Sequence, residues 1–215
     1  MEYLDISENL KRHYTETFSK HGPSSRGVDW SDSEVKEELR ISKVLGVVRD
    51  GDSTKGYSIL DVGCGYGTAL KYLTEKSDNF TYAGIDLVTE MIGEAKKLYP
   101  NQSFICGDFL KENFIGNFDY VICNGILTQK LNAEDSMMRN YMHQLVSKMF
   151  SLSRIGISFN IMSLYSNYQV DNLFYMNPHE IIDYVGRHFS PHFTVDQSYG
   201  LYEFTTYVYK KGEFE

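Results

Sequence analysis

Hydrophobic positions in this chain keep two rhythms, and the change between them falls near Tyr57. Before it, Leu4, Ile6, Leu10, Tyr14 and Phe18 recur at roughly helical spacing, until His21-Gly22-Pro23-Ser24-Ser25 breaks the pattern. A second helix is expected to open at Ser33, with Glu34 and Glu37 in its first turns and Val35, Leu39, Val44, Leu45 and Val48 on its buried face. From Tyr57 onward, short β-rich runs at 58–62, 81–85, 103–106, 120–123 and 155–161 alternate with helical stretches at 67–75, 89–98 and 136–151. Strand and helix taking turns in this way builds a parallel sheet covered on both faces.

Beyond the fifth run, Asn177-Pro178-His179-Glu180 reads as an N-cap, a proline at the first helical position and an early acid, opening a helix to about Phe189. Two further β-rich segments, 192–197 and 202–209, are joined only by Ser198-Tyr199-Gly200-Leu201. So short a link cannot make a parallel crossover, so the last strand is expected to run antiparallel beside six parallel ones. The predicted fold is α/β, a Rossmann-like seven-stranded, mostly parallel sheet with helices on both faces. Residues 1–50 would form an N-terminal helical lid and 51–215 the core of a single domain.

The candidate chemistry lies where the first strand ends, in Asp61-Val62-Gly63-Cys64-Gly65-Tyr66-Gly67. Glycines on alternate positions let the backbone turn sharply and approach a ligand that a Cβ would exclude. A dinucleotide loop would need a glycine where Thr68 stands, and no Gly-Lys-Ser/Thr of a P-loop follows. Asp61, an acid just before the loop, suits an ammonium or sulfonium ligand and disfavours a pyrophosphate. Asp86 closes the second strand, 19 positions past Gly67, about the spacing at which an acid reaches a ribose diol. The third strand ends in Gly107-Asp108-Phe109 and the fourth in Cys123-Asn124-Gly125, polar groups again following apolar runs.

Together these segments resemble class I S-adenosylmethionine-dependent methyltransferases over roughly residues 57–161. The resemblance implies a cofactor, S-adenosyl-L-methionine, released as S-adenosyl-L-homocysteine. The loop of Gly63, Gly65 and Gly67 would lie under its methionine part, with Asp61 orienting the amino group. Asp86, with Leu87 beside it, would take the ribose hydroxyls, Asp108 and Phe109 the adenine, and Asn124 would face the donor near its methyl group. A looser resemblance covers nearly the whole chain through His21-Gly22, Arg26-Gly27-Val28-Asp29-Trp30, Asn124-Gly125-Ile126-Leu127 and Gly200-Leu201-Tyr202-Glu203-Phe204-Thr205. It is to a bacterial small-molecule branch that includes enzymes of surface (capsule) polysaccharide biosynthesis acting on sugar or phosphoramidate groups.

Composition narrows the partners. Among 215 residues, 21 Lys and Arg stand against 29 Asp and Glu, a net charge of −8 that disfavours nucleic acid as the main partner. Asn124-Gly125-Ile126-Leu127 also differs from the Asn/Asp-Pro-Pro-aromatic phrase that base-amino methylating enzymes carry. The three cysteines form no CxxC, the six histidines form no HExxH or His-x-His pair, and no window approaches a membrane span. The expectation is a cytoplasmic enzyme, monomer or homodimer, with a small-molecule acceptor, no metal and no membrane. The alternatives are a nucleic-acid methyltransferase and a catalytically silent cofactor-binding partner subunit.

Outside these motifs the candidates are weaker. His21 is a candidate base and Asn160, near the end of the fifth run, a candidate catalytic or substrate-binding residue; Arg26 could pair with an anionic substrate or with the donor's carboxylate. Tyr14, Tyr66 and Trp30 are candidate pocket walls, Tyr14 against the cofactor, whereas Trp30 reads rather as an anchor packing the N-terminal helices onto the sheet. Asp119 sits at the opposite end of the fourth strand and reads as a turn or cap. Met137, Met138, Met142 and Met149 read as core, as do Cys64, Cys106 and Cys123.

Overall fold

The structure is a computed structural model that describes residues 3–30, 33–76 and 79–211. An N-terminal helix α1 (Tyr3–His21) leads through a 3-10 turn (Ser25–Val28) to α2 (Glu34–Leu45) and a short α3 (Asp50–Lys55). Alternation then follows: β1 (Tyr57–Val62), α4 (Thr68–Lys76), β2 (Phe80–Asp86), α5 (Thr89–Leu98), β3 (Ser103–Cys106), β4 (Phe118–Cys123), α6 (Asp135–Leu152) and β5 (Ser153–Ser163). The chain closes with β6 (Tyr175–Met176), α7 (Pro178–His188), β7 (Phe193–Asp196) and β8 (Glu203–Tyr209).

The sheet order is β3-β2-β1-β4-β5-β8-β7, with β6 paired to β5 off this path. β8 runs antiparallel to both β5 and β7, while β6 is parallel to β5, so seven strands share one direction and β8 opposes them. The two-residue β6 makes the sheet eight-stranded rather than seven; so short a run has no periodicity to betray it. α3 and the 3-10 turn were also not expected, since Asp50-Gly51-Asp52-Ser53-Thr54-Lys55 has no apolar face.

Alternation along β1 divides the core. Leu60 and Val62 face a layer with Leu10 of α1, Met138, Met142, Leu145 and Met149 of α6, and Val185 of α7. Ile59 faces Ile41 and Val44 of α2, Leu70 of α4 and Ile92 of α5 on the other side. Both faces are therefore apolar, which is why the central strands read as unbroken hydrophobic runs.

Two helices, α2 and α7, start at side-chain caps. Ser33 Oγ accepts from the Lys36 N–H at 3.4 Å, and Asn177 Oδ1 from the His179 N–H at 3.0 Å. The phase of α2 differs from expectation: Val35 is exposed and Glu37 buried, because the Glu37 carboxylate accepts the Ser25 hydroxyl of the 3-10 turn. The side chain of Leu4 lies outside the described residues. Cys64 and Cys123 are buried as expected, whereas Cys106 is exposed at the end of the edge strand β3.

Candidate functional site

The strand order reverses between β1 and β4, and a pocket opens there at the carboxyl ends of the strands, where open α/β sheets bind ligands. Its empty space, with the open solvent at its mouth included, is about 950 Å³. Leu10, Lys11 and Tyr14 of α1 line it, as do Val28 at the end of the 3-10 turn and Trp30 just beyond it.

The glycine loop forms its floor. Gly63 and Gly65 hold φ of +75° and +54°, in the left-handed region. The N–H groups of Gly63 and Cys64 both donate to Ile85 O, at 2.8 and 3.1 Å, tying the turn to the end of β2. At Gly65 an added Cβ would meet only Val28 at 3.6 Å and Met91 at 3.8 Å, so bare backbone faces the open space. Gly67 departs from expectation: it is not on the pocket wall, and its missing side chain makes room for the Tyr99 ring behind the loop.

Asp86 joins the loop to the next helix. Its Oδ2 accepts from the Gly65 N–H and its Oδ1 from the Val88 N–H at the start of α5, both at 2.9 Å. Burial raises its pKa above the ordinary carboxylate range, and these backbone donors only partly counter that. Asp61 sits deeper, at 2 % exposure, where Tyr82 of β2 donates its hydroxyl to Oδ2 at 2.8 Å. Burial first, with the nearby Asp86 charge, pushes the Asp61 carboxyl up to about 7 against the opposing effect of the Tyr82 bond. Asp108 Oδ1 accepts from the Leu110 N–H at 3.0 Å, while its buried Oδ2 has no hydrogen-bond partner among the described residues and the Lys111 ammonium stands 3.9 Å away. Leu87, Phe109 and Asn124 complete the expected set on the walls.

Tyr14 also reaches the pocket, as expected, and its phenol is pushed up by burial and by the charges of Asp29 and Asp86. It therefore keeps its proton at neutral pH. Trp30 both lines the pocket and packs, its ring lying under Arg40 (4.9 Å to the centroid) and against Gly125. Tyr66 instead packs near Phe18, ring centroids 6.1 Å apart, away from the walls.

Three further expectations do not place their residues on the pocket. His21 is exposed at the last turn of α1, where its carbonyl accepts the Ser24 hydroxyl. Arg26 lies on the exposed side of the 3-10 turn. Asn160 is fully buried, its side chain committed to Gly125, Asn124 and Glu203. A strand end reads as exposed in sequence, but β5 continues to Ser163 and is covered by β8. Asp119 is held below the usual carboxylate range despite burial, by Arg154 and by the Ser58 N–H and hydroxyl, a strand-joining role far from the pocket.

Sequence reasoning missed Tyr82, Met91, Ile126 and Tyr141. Each has an ordinary strand, helix or loop signature, and only packing brings it to or beneath the pocket.

A family model described as a methyltransferase domain matches residues 59–148, from β1 through most of α6. Rv1506c of Mycobacterium tuberculosis, named as a methyltransferase, is 33% identical over 159 residues, which cover 72% of this chain and 93% of that protein. The magnesium protoporphyrin IX methyltransferase of Synechocystis PCC 6803, solved with S-adenosylhomocysteine (SAH), superposes with a TM-score of 0.64 at 16% identity, over 96% of this chain and all of that one. The 1,6-didemethyltoxoflavin-N1-methyltransferase of Burkholderia thailandensis gives a TM-score of 0.67 at 15% identity, over 97% and 90% of the two chains. With its sheet, its strand-end site and a relative matched over nearly that protein's full length, this chain belongs to the class I methyltransferase family.

Proposed function

We propose that this enzyme uses S-adenosyl-L-methionine to methylate an oxygen or nitrogen of a small molecule, with cofactor contacts made by the carboxylates and bare backbone gathered at the strand ends. The observation that carries the cofactor assignment is Asp108 Oδ2, a buried acceptor with no hydrogen-bond donor among the described residues, its nearest cation being the Lys111 ammonium at 3.9 Å. Such an atom costs about 1–3 kcal/mol unless something supplies a donor, and an adenine amino group does so. The open space over Gly65 and the acids Asp61 and Asp86 fit a positively charged ligand that needs close backbone approach.

When bound, this cofactor supplies a methyl group on a positively charged sulfur, already activated toward in-line displacement. The protein's part is alignment and exclusion of water. Asp86 is held rigid by two backbone donors and keeps lone pairs for a pair of hydroxyls. Asp61, backed by Tyr82, offers a carboxylate to an ammonium group, and Leu87 and Phe109 give apolar surface for a planar base. Residues 1–50 act as the lid, with Tyr14 a neutral wall rather than a base. Among the described residues no histidine lines the pocket, so acceptor alignment carries the reaction rather than a built-in imidazole base.

For the acceptor, a sugar or phosphoramidate precursor of a surface polysaccharide is the first class to test. The peripheral segments around Arg26 and Gly200, together with the acidic net charge that disfavours polyanions, support that choice. A cytoplasmic monomer or homodimer acting without nucleic acid is the matching biological form.

Calorimetry with S-adenosylmethionine and SAH tests the cofactor site, with saturable binding expected and no binding at millimolar ligand refuting it. A screen for SAH release across nucleotide sugars, sugar phosphates, phosphoramidates and small amines tests the acceptor class.

A further inference from the structure

A buried polar chain reaches from β8 to the pocket wall at the end of β4. Asn160 Oδ1 accepts the Gly125 N–H at 2.9 Å, and its Nδ2 donates to Glu203 Oε1 at 3.1 Å and to Asn124 Oδ1 at 3.2 Å. Glu203, 1 % exposed, takes Arg40 Nε on both carboxylate oxygens, at 3.0 and 2.8 Å.

The two ends of an amide are told apart by their partners. A backbone N–H can only donate, and a carboxylate paired with a guanidinium can only accept. Asn160 therefore sits one way round, with oxygen toward Gly125 and nitrogen toward Glu203. Its second N–H needs an acceptor, and Asn124 Oδ1 is that acceptor. The amide of Asn124 is thereby turned with its oxygen inward, and the end left for the pocket that Asn124 lines is Nδ2, a pure donor.

We infer that Asn124 is a specificity-determining residue that donates an N–H to the methyl acceptor, whose reacting atom sits beside a carbonyl, carboxylate or phosphoryl oxygen. An ammonium or amino N–H in that place would meet another donor, and a buried donor facing a donor is left unsatisfied. Lys11, also on the pocket wall, favours the same oxygen-bearing class. The inference rests on the methyltransferase reading and narrows its acceptor. Asn160, Glu203 and Arg40 act through Asn124 as positioning residues.

Two measurements test it on the full-length protein saturated with SAH. In ¹⁵N spectra the side-chain pairs of Asn124 and Asn160 are assigned by their loss in Asn124→Asp and Asn160→Asp. The Asn124 pair is expected to exchange with water and the Asn160 pair to be protected; the reverse pattern overturns the orientation. In the acceptor screen, turnover is expected for compounds with an oxygen within two bonds of the methylated atom. Asn124→Asp, which swaps the donor for a repelling oxygen, should cut kcat/KM for the best of them about 100-fold. An amine without such an oxygen as the best acceptor, with kcat/KM unchanged in Asn124→Asp, overturns the inference while leaving the cofactor site standing. Loss of SAH binding by the wild-type chain would instead overturn the reading beneath it.

Discussion

Asp61 links stability to function in opposite directions, and Asp61→Asn separates them. In the unfolded chain its carboxyl returns to the ordinary 3.8, while in the native pocket burial holds it at about 7. Between those values the native state keeps a proton that the unfolded chain has lost, so stability falls as pH rises through that window. At about 1.4 kcal/mol per pH unit, the full penalty on the charged form above pH 7 is on the order of 4 kcal/mol. Asparagine keeps an oxygen for the Tyr82 hydroxyl and removes the charge, but brings a buried amide N–H₂ that costs about 1–3 kcal/mol if unpaired. The ligand-free variant should therefore be about 1–3 kcal/mol more stable than the wild type at pH 8. At about 2–4 °C per kcal/mol for a chain of this size, that is a Tm several degrees higher, shrinking toward zero or reversing at pH 5. Cofactor binding should move the other way, with the variant binding S-adenosylmethionine more weakly and the wild type losing affinity as pH drops below about 7. Thermal unfolding at the two pH values and calorimetry at pH 8 read both effects. A variant less stable than wild type at both pH values would show that burying the Asp61 charge carries no such penalty, and one that binds the cofactor unchanged would remove Asp61 from the cofactor site.

Asp86→Ala removes the acceptor shared by the Gly65 and Val88 N–H groups and should weaken SAH binding roughly 10- to 100-fold by calorimetry. Gly65→Ala places a Cβ in the open pocket at φ +54°, so SAH affinity should fall while urea unfolding shows a loss of only about 1–2 kcal/mol. Gly67→Ala, which presses on Tyr99 behind the loop, should cost stability with a smaller change in affinity. Arg40→Met leaves Glu203 buried without its cation and should lower stability by about 3–5 kcal/mol in urea unfolding, with Arg40→Met/Glu203→Gln recovering part of the loss.

Much of the fold is local in origin and was therefore legible. The alternation that begins at Tyr57, the Ser33 and Asn177 caps, and the four-residue link before the last strand each act over a few residues. They suffice to predict α4, α5, α6, α7 and the antiparallel β8. The strand-end acids Asp61, Asp86 and Asp108 were legible for the same reason, since a polar residue closing an apolar run in an α/β chain falls at the sheet's carboxyl edge. Tertiary structure decided what depends on partners distant in sequence. Burial within the packed sheet, against the opposing bond from Tyr82, brings Asp61 near pH 7, and β8 covers β5 so that Asn160 becomes a buried support rather than a pocket residue. The 3-10 turn brings the Ser25 hydroxyl to Glu37, which is buried while Val35 is not, and α1 lines the pocket with Tyr14 while leaving His21 in solvent. Short-range patterning sets which residues stand at strand ends, but burial, amide orientation and pKa arise from contacts between elements far apart in sequence, such as the 163 residues from Arg40 to Glu203.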